Sequence, residues 1–126
     1  MTYHYRFDII LTSYPLLRID SEQLADIHWH AVFLDESQHV KNADSQTAKA
    51  AYRLNSDHNF VMTGTPLENR LDDVWSQFHF TMPGFLGRRK SFARNYGVRS
   101  AGQISAEILK ERLEGLRTRI KPFILR

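Results

Sequence analysis

Three short apolar runs, each ending abruptly in polar residues, constrain the fold of this 126-residue chain more than any other feature. They cover residues 7–12, 31–34 and 60–63, and their β-branched and aromatic side chains predict buried strands. The stretches between them have helical patterns, and strands that alternate with helices pair in parallel through right-handed crossovers. The sequence therefore predicts an α/β fold, with flanking helices around a parallel sheet of three strands.

The polar loops that end these runs are candidates for a functional site. They cover residues 12–14, 35–38 and 63–66. In a parallel sheet the carboxyl ends of the strands lie at one edge, and the loops there usually carry the functional side chains. We therefore expect the three loops to converge.

Two adjacent carboxylates, Asp35 and Glu36, directly follow the second apolar run. Charges at the end of a buried strand are costly unless a cation or hydrogen bonds compensate them, and Mg²⁺ would do so. In phosphoryl transfer a strand-end Asp often holds the metal while a neighbouring carboxylate orients or deprotonates the attacking water. Gln38 could then sense the phosphate. The alternative is an exposed acidic turn without chemistry.

The third loop, Thr63-Gly64-Thr65-Pro66, is more distinctive than the acid pair. Glycine permits a tight approach, the hydroxyls can donate and accept hydrogen bonds, and proline can begin the next helix. An ordinary strand-to-helix turn is the alternative interpretation. Two such strand-end motifs, about 30 residues apart, favour a functional site.

Charge divides the chain at Gly87. Residues 1–87 carry six Lys/Arg against eleven Asp/Glu, a net charge of −5, whereas residues 88–126 carry eleven against three, a net charge of +8. A basic segment of this kind could bind phosphates, or it could be the solvated face of a helix. Apolar residues at helical spacing predict two amphipathic helices, one over residues 71–78 and one over residues 104–120.

Several functional classes are excluded or disfavoured. The chain has no cysteine, so thiolate metal sites and thiol nucleophiles are excluded, and no apolar run approaches the roughly 20 residues that cross a bilayer. We therefore expect no membrane partner. His28 and His30 could share a metal ion, but no further ligand lies at a suitable spacing in the sequence.

In several stretches the sequence resembles the SWI/SNF-like branch of the superfamily-two helicase-related ATPases. The matches follow the family's order over nearly the whole chain. They are Ile10-Leu11-Thr12-Ser13-Tyr14 (Ib region), Asp35-Glu36-Ser37-Gln38 (Walker-B acid box), Thr63-Gly64-Thr65-Pro66-Leu67-Glu68-Asn69 (third helicase motif), residues 71–87 with Trp75 (the segment that follows), and Ile120-Lys121-Pro122-Phe123-Ile124-Leu125-Arg126 (end of the first RecA-like lobe).

The resemblance implies an ATP-dependent enzyme that translocates on double-stranded DNA and remodels nucleoprotein. Residues 1–80 would be a partial RecA-like lobe, and residues 81–126 a helical protrusion and the end of that lobe. By this resemblance Asp35 would hold Mg²⁺ through the nucleotide, and Glu36 would activate water. The motif Thr63, Gly64, Thr65 and Pro66 would couple the nucleotide state to the binding of DNA. The residues implied to contact nucleic acid are Thr12, Tyr14, Arg88, Arg89 and Lys90. The resemblance further implies a location in the cytoplasm, at the nucleoid, if the protein is bacterial, and in the nucleus if it is eukaryotic.

The chain also departs from the family pattern. Ser37 stands where Ala or Gly is usual, and no Gly-Lys pair is present from which a phosphate-binding loop could be built. The N-terminal half of the first lobe and the second lobe would be missing partners. We therefore expect a fragment that does not bind ATP tightly or hydrolyse it alone, and that self-associates through an exposed sheet edge at 60–63. The alternative is a non-catalytic module that binds DNA or an acidic protein through 88–126.

Overall fold

Residues 7–64, 70–97 and 104–125 are described by the computed structural model. Their helices and strands alternate, as the apolar runs predict, and two short 3₁₀ turns follow β1 and α6. In chain order the elements are α1 (Tyr14–Ile19), α2 (Ser21–Ala25), β1 (His28–Leu34), a 3₁₀ turn (Ser37–Val40), α3 (Gln46–Tyr52), β2 (Asn55–Val61), α4 (Leu71–Thr81), α5 (Arg89–Tyr96), α6 (Ala106–Ile120) and a second 3₁₀ turn (Lys121–Phe123).

The two strands β1 and β2 pair in parallel, with α3 in the crossover between them. The register runs from His28 opposite Asn55 to Leu34 opposite Val61. Backbone bonding continues beyond the strands, because the Met62 N–H donates to the Leu34 carbonyl at 2.8 Å and the Ser37 N–H donates to the Met62 carbonyl at 2.9 Å. The predicted parallel α/β fold is therefore confirmed for these two strands.

The prediction of a third strand over residues 7–12 is wrong. In the structure residues 7–13 belong to no helix or strand, and Ile9 and Leu11 are 87% and 96% exposed. An apolar, β-branched composition measures fit to a pleated, half-buried surface rather than an intrinsic backbone preference. Within the described residues the sheet consists of β1 and β2 alone, and the run pairs with neither of them.

The two confirmed strands begin earlier than their apolar runs. β1 starts at His28 and β2 at Asn55, whereas the runs start at residues 31 and 60, and β2 ends at Val61. The first halves of both strands are polar and largely exposed. Pairing between the strands, rather than burial of their side chains, makes these residues extended.

One hydrophobic core lies between the sheet and α1, α3 and α4. Its buried members include small residues on α3, where the Ser45 side chain caps the helix by accepting from the Ala48 N–H at 3.1 Å. Small side chains let α3 approach the rest of the core closely, because helix separation follows the size of the contacting side chains. The buried residues of this core are Leu17, Leu34, Val40, Ala48, Ala50, Ala51 and Phe80.

A second core is built by α4, α5 and α6. The indole N–H of Trp75 donates to the Gly87 carbonyl at 3.1 Å, and the Arg119 guanidinium donates to the Phe85 carbonyl at 2.6 Å. The chain turns between these elements at Gly84 and Gly87, whose φ angles of 86° and 74° favour glycine. Because α4 contributes side chains to both cores, it joins the basic helices to the sheet. The buried residues of the second core are Val74, Trp75, Phe78, Phe92, Leu116 and Ile120.

The helices of the described ranges include none with both the length and the apolar character required to cross a membrane.

Two fully buried serines differ in their hydrogen bonding. The Ser76 hydroxyl donates to the Val40 carbonyl at 2.5 Å and lies 2.5 Å from the Tyr52 hydroxyl. The Ser37 hydroxyl, equally buried, has no hydrogen-bond partner within the described residues. A buried polar group without a partner costs free energy, whereas removing one partner of a buried pair leaves the other unsatisfied.

We predict that Ser76→Ala lowers the free energy of unfolding by about 1–3 kcal/mol, because the Val40 carbonyl loses its donor. The matched change Ser37→Ala should leave this free energy unchanged or raise it by about 1 kcal/mol. Urea denaturation followed by circular dichroism measures both values. An equal loss of stability in the two variants would contradict the difference in hydrogen bonding.

Candidate functional site

The acid pair lies in a tight turn at the end of β1. Glu36 has φ 49° and ψ 53°, and among the described residues it alone combines a side chain with a positive φ. This left-handed conformation costs an ordinary residue about 1–2 kcal/mol. Local hydrogen bonds offset that cost: the Glu36 N–H donates to Asp35 Oδ1 at 2.8 Å, and the His39 N–H donates to the Glu36 carbonyl at 3.1 Å.

Gln38 connects the acid pair to the end of β2. Its amide nitrogen donates to the Glu36 carboxylate, and its amide oxygen accepts from the Thr63 hydroxyl at 3.3 Å. Both ends of this side chain are therefore engaged, and the acid box and the start of the 63–66 motif lie in hydrogen-bond contact. The predicted convergence of these two loops is found at the carboxyl end of the sheet.

The first loop also reaches the acid pair, although residues 7–13, the described part of the chain before α1, form no strand. The Tyr14 hydroxyl donates to the Asp35 carbonyl at 2.5 Å, and the Tyr14 ring lies 4.9 Å from the His39 ring. Burial raises the pKa of Tyr14 to about 12, and the negative charges of Asp35 and Glu36 act in the same direction. Tyr14 therefore stays protonated and can donate this hydrogen bond at neutral pH.

Of the remaining residues of the first and third loops, Thr12, Ser13 and Gly64 belong to the described ranges. Thr12 is exposed in the segment before α1, while Thr65 and Pro66 lie outside the described residues. Gly64 follows Thr63, and a Cβ added there would meet no atom within 4 Å. The described part of the chain thus contains no close approach that requires glycine at position 64.

The basic residues predicted to contact nucleic acid lie at the start of α5, where Arg88 precedes its first residue, Arg89. The Arg89 guanidinium pairs with Asp44 at 2.8 Å, and its hydrogen bond and charge lower the pKa of that carboxyl. Arg88 and Lys90 are exposed. The charge of Arg89 is thus compensated within the chain, whereas its two neighbours face solvent.

Asp57 lies beside His28 and His30, which the sequence did not indicate. Its carboxylate lies 2.8 Å from His28 and 3.6 Å from His30, and the hydrogen bond to His28 lowers the pKa of Asp57. The cluster depends on the β1–β2 register, which brings residues almost 30 positions apart side by side. Nevertheless, no three His, Cys, Asp or Glu side chains in the described ranges are placed to hold a metal ion.

Asp35 and Glu36 offer the oxygen donors that Mg²⁺ prefers. Both are exposed, and Asp35 already accepts a backbone hydrogen bond through Oδ1. Mg²⁺ commonly takes one or two protein carboxylates and completes its shell with waters and phosphate oxygens. The donor set therefore fits Mg²⁺ that arrives with a nucleotide and does not fit a site built from protein ligands alone.

Comparison with known proteins gives consistent matches along the whole chain. The SNF2-related domain matches residues 1–126. The putative ATP-dependent helicase/translocase YwqA of Bacillus subtilis is 37% identical over 119 residues, which cover 94% of this chain and 12% of YwqA. The TATA-binding protein-associated factor mot1 of Schizosaccharomyces pombe is 38% identical over 127 residues, which cover 94% of this chain and 6% of mot1.

A solved structure agrees with these sequence matches. The Sulfolobus solfataricus SWI2/SNF2 ATPase core in complex with dsDNA superposes with a TM-score of 0.81 and 36% sequence identity, over 95% of this chain and 24% of that one. The chain thus spans a small part of the length of each relative. With a matching sequence and a matching fold, it belongs to the SNF2-related domain family.

Proposed function

We propose that this chain is the later part of the first RecA-like lobe of an ATP-dependent enzyme that translocates on double-stranded DNA and remodels nucleoprotein. The observation that carries the proposal is the Gln38 side chain, which joins the Glu36 carboxylate to Thr63 at one edge of the sheet. Membership of the SNF2-related family supports it, as does the name helicase/translocase that a bacterial relative bears. In this proposal residues 1–80 form part of the lobe, and residues 81–126 form the helical protrusion and the end of the lobe.

The roles of the acid pair follow from its chemistry. Asp35 would hold Mg²⁺, which neutralises charge on the phosphate oxygens when it is bound with ATP. Glu36 would orient the attacking water and accept its proton. Because Gln38 donates to the Glu36 carboxylate, a change of charge there alters its hydrogen bonding and hence its contact with Thr63. The motif Thr63 to Pro66 would carry this change towards the DNA-binding surface.

The chain alone is proposed to be inactive as an ATPase. Its sequence contains no Gly-Lys pair, so it offers no loop whose amides and lysine could hold the β- and γ-phosphates. The second lobe, which supplies arginines to the nucleotide in the family that the sequence resembles, would also be needed. Asp35 and Glu36 would then act only when these parts are present.

We predict no ATP hydrolysis above background by the purified chain with Mg²⁺ and duplex DNA. In a longer protein that carries this segment and hydrolyses ATP, Glu36→Gln should lower kcat by about 10²- to 10⁴-fold, the range of a lost general base. Glu107→Gln, an exposed glutamate on α6, is the control and should leave kcat unchanged. Turnover by the chain alone that Glu36→Gln abolishes would overturn the proposal of inactivity.

The open sheet supports a proposal of self-association. In the described residues each strand has one neighbour, so the outer edges of β1 and β2 are free to pair. Phe33 and Phe60 lie in register and stack at 4.7 Å between ring centroids, yet they are 60% and 47% exposed. Met62, beyond the end of β2, is also 47% exposed. Paired aromatic rings next to free edges favour association of two copies through the sheet.

Light scattering tests self-association. The wild-type chain should show a mass that rises with concentration, and Phe60→Asp should lower that mass towards the monomer by placing a charge in the contact. The control is Phe123→Asp, which changes a phenylalanine of similar exposure, 52%, that lies next to the second core. A monodisperse monomer at high concentration would contradict the proposal.

The exposure of Arg88 and Lys90 supports the second candidate, a DNA-binding module without catalysis. We predict that duplex binding by the chain weakens steeply with salt, because each phosphate contact releases counterions. Arg88→Ala and Lys90→Ala should each reduce the slope of log affinity against log salt by about one. Lys49→Ala on α3 is the control. Binding that is insensitive to salt would indicate an apolar protein interface instead.

A further inference from the structure

The peptide group between Asp35 and Glu36 is held on both sides. Its N–H donates to the Asp35 carboxylate at 2.8 Å, and its carbonyl accepts from the Tyr14 hydroxyl at 2.5 Å. The orientation of this peptide plane fixes the backbone angles on either side of it, including the positive φ of Glu36. Whatever holds the carbonyl therefore helps to set the direction in which the Glu36 side chain leaves the chain.

The contacts of the acid turn divide into local and distant ones. The hydrogen bonds from Glu36, Gln38 and His39 arise within four residues of the turn and move with it. Three others come from elsewhere in the chain: the Ser37 N–H donates to the Met62 carbonyl, the Thr63 hydroxyl donates to Gln38, and the Tyr14 hydroxyl donates to the Asp35 carbonyl. The first two come from the segment beyond β2, so Tyr14 supplies the contact that ties the turn to α1.

Tyr14 is itself firmly placed. It is the first residue of α1, Pro15 follows it, and the Leu17 N–H donates to the Ser13 carbonyl at 2.8 Å. Leu17 is buried in the first core, which anchors the helix. The position of the hydroxyl therefore depends on core packing at one end of α1, while the exposed Thr12 lies two residues before it.

We propose that Tyr14 is a positioning residue for the acid pair, which holds the Asp35 carbonyl, keeps Glu36 in its left-handed conformation and links loop 12–14 to the two carboxylates. The effect of this link on catalysis rests on the proposed function, whereas the hydrogen bond from Tyr14 to Asp35 is independent of it. A ligand that displaces loop 12–14, which is duplex DNA in the proposed function, would break the Tyr14 bond and turn the Glu36 side chain. The hydroxyl carries one proton, so while it donates to the Asp35 carbonyl it cannot also donate to a phosphate oxygen of nucleic acid.

Nuclear magnetic resonance of the isotopically labelled chain tests the proposal. A left-handed residue has a short distance between its own amide and α protons, so wild-type Glu36 should give a strong intraresidue NOE between them. In Tyr14→Phe this NOE should weaken, and hydrogen exchange at the Glu36 and Ser37 amides should rise roughly tenfold relative to the core amides, the factor for one hydrogen bond of ordinary net strength.

Tyr52→Phe is the matched control. Its hydroxyl also bonds within the chain, to Ser76, and burial also raises the pKa of Tyr52. This variant should leave the Glu36 NOE and relative exchange unchanged, even where it lowers overall stability. A merely structural role of Tyr14 would instead raise exchange throughout the chain by a common factor. Retention of the Glu36 NOE with unchanged exchange in Tyr14→Phe would overturn the proposal.

None of these measurements uses ATP, so their failure would leave the proposed ATPase function untouched, and the converse also holds.

Discussion

The parallel pairing of β1 with β2 brings the acid turn into contact with Thr63. Because the strands run in the same direction, their last residues, Leu34 and Val61, face each other and the loops beyond them start side by side. The ladder continues past both strands through Met62 and Ser37, so the acid turn is bonded to the segment that leads into Thr63. An antiparallel pairing of the same strands would have placed these two loops at opposite ends of the sheet.

α4 contacts the segment that follows the acid pair. Its Ser76 hydroxyl bonds to the Val40 carbonyl at the end of the 3₁₀ turn that follows the acid pair, while Trp75 and Phe78 face the second core. The same helix thus touches the segment after the acid pair and the helices α5 and α6.

The sequence predicted those parts of the fold that depend on local pattern. Apolar runs located the carboxyl ends of β1 and β2, and the amphipathic helix α4 followed from the spacing of its apolar residues. The run at residues 7–12 was misread because composition records a preference for burial and does not supply a partner strand. The polar halves of the strands escaped notice because their extended form comes from pairing.

The candidate site was predictable in its residue types and much less in its contacts. Asp35, Glu36 and Thr63 could be selected because they follow apolar runs directly. The Tyr14 bond to Asp35 spans 21 residues and the approach of Asp57 to His28 spans 29, and neither separation leaves a periodic trace in a single sequence. The contact of Tyr14 with nucleic acid stays a prediction, and its hydroxyl bond to Asp35 could not be read from the sequence. These contacts depend on register and helix placement, which only the three-dimensional structure supplies.

Two fully buried alanines of α3 have a consequence for how this domain can vary. Ala48 and Ala51 are 0% exposed, and in a close-packed core added methylenes force the surrounding backbone to shift. α3 is also the crossover between β1 and β2, so a displaced α3 would shift the strand ends. A larger side chain at either alanine would therefore disturb the two carboxylates, although the alanines carry no chemical group of their own.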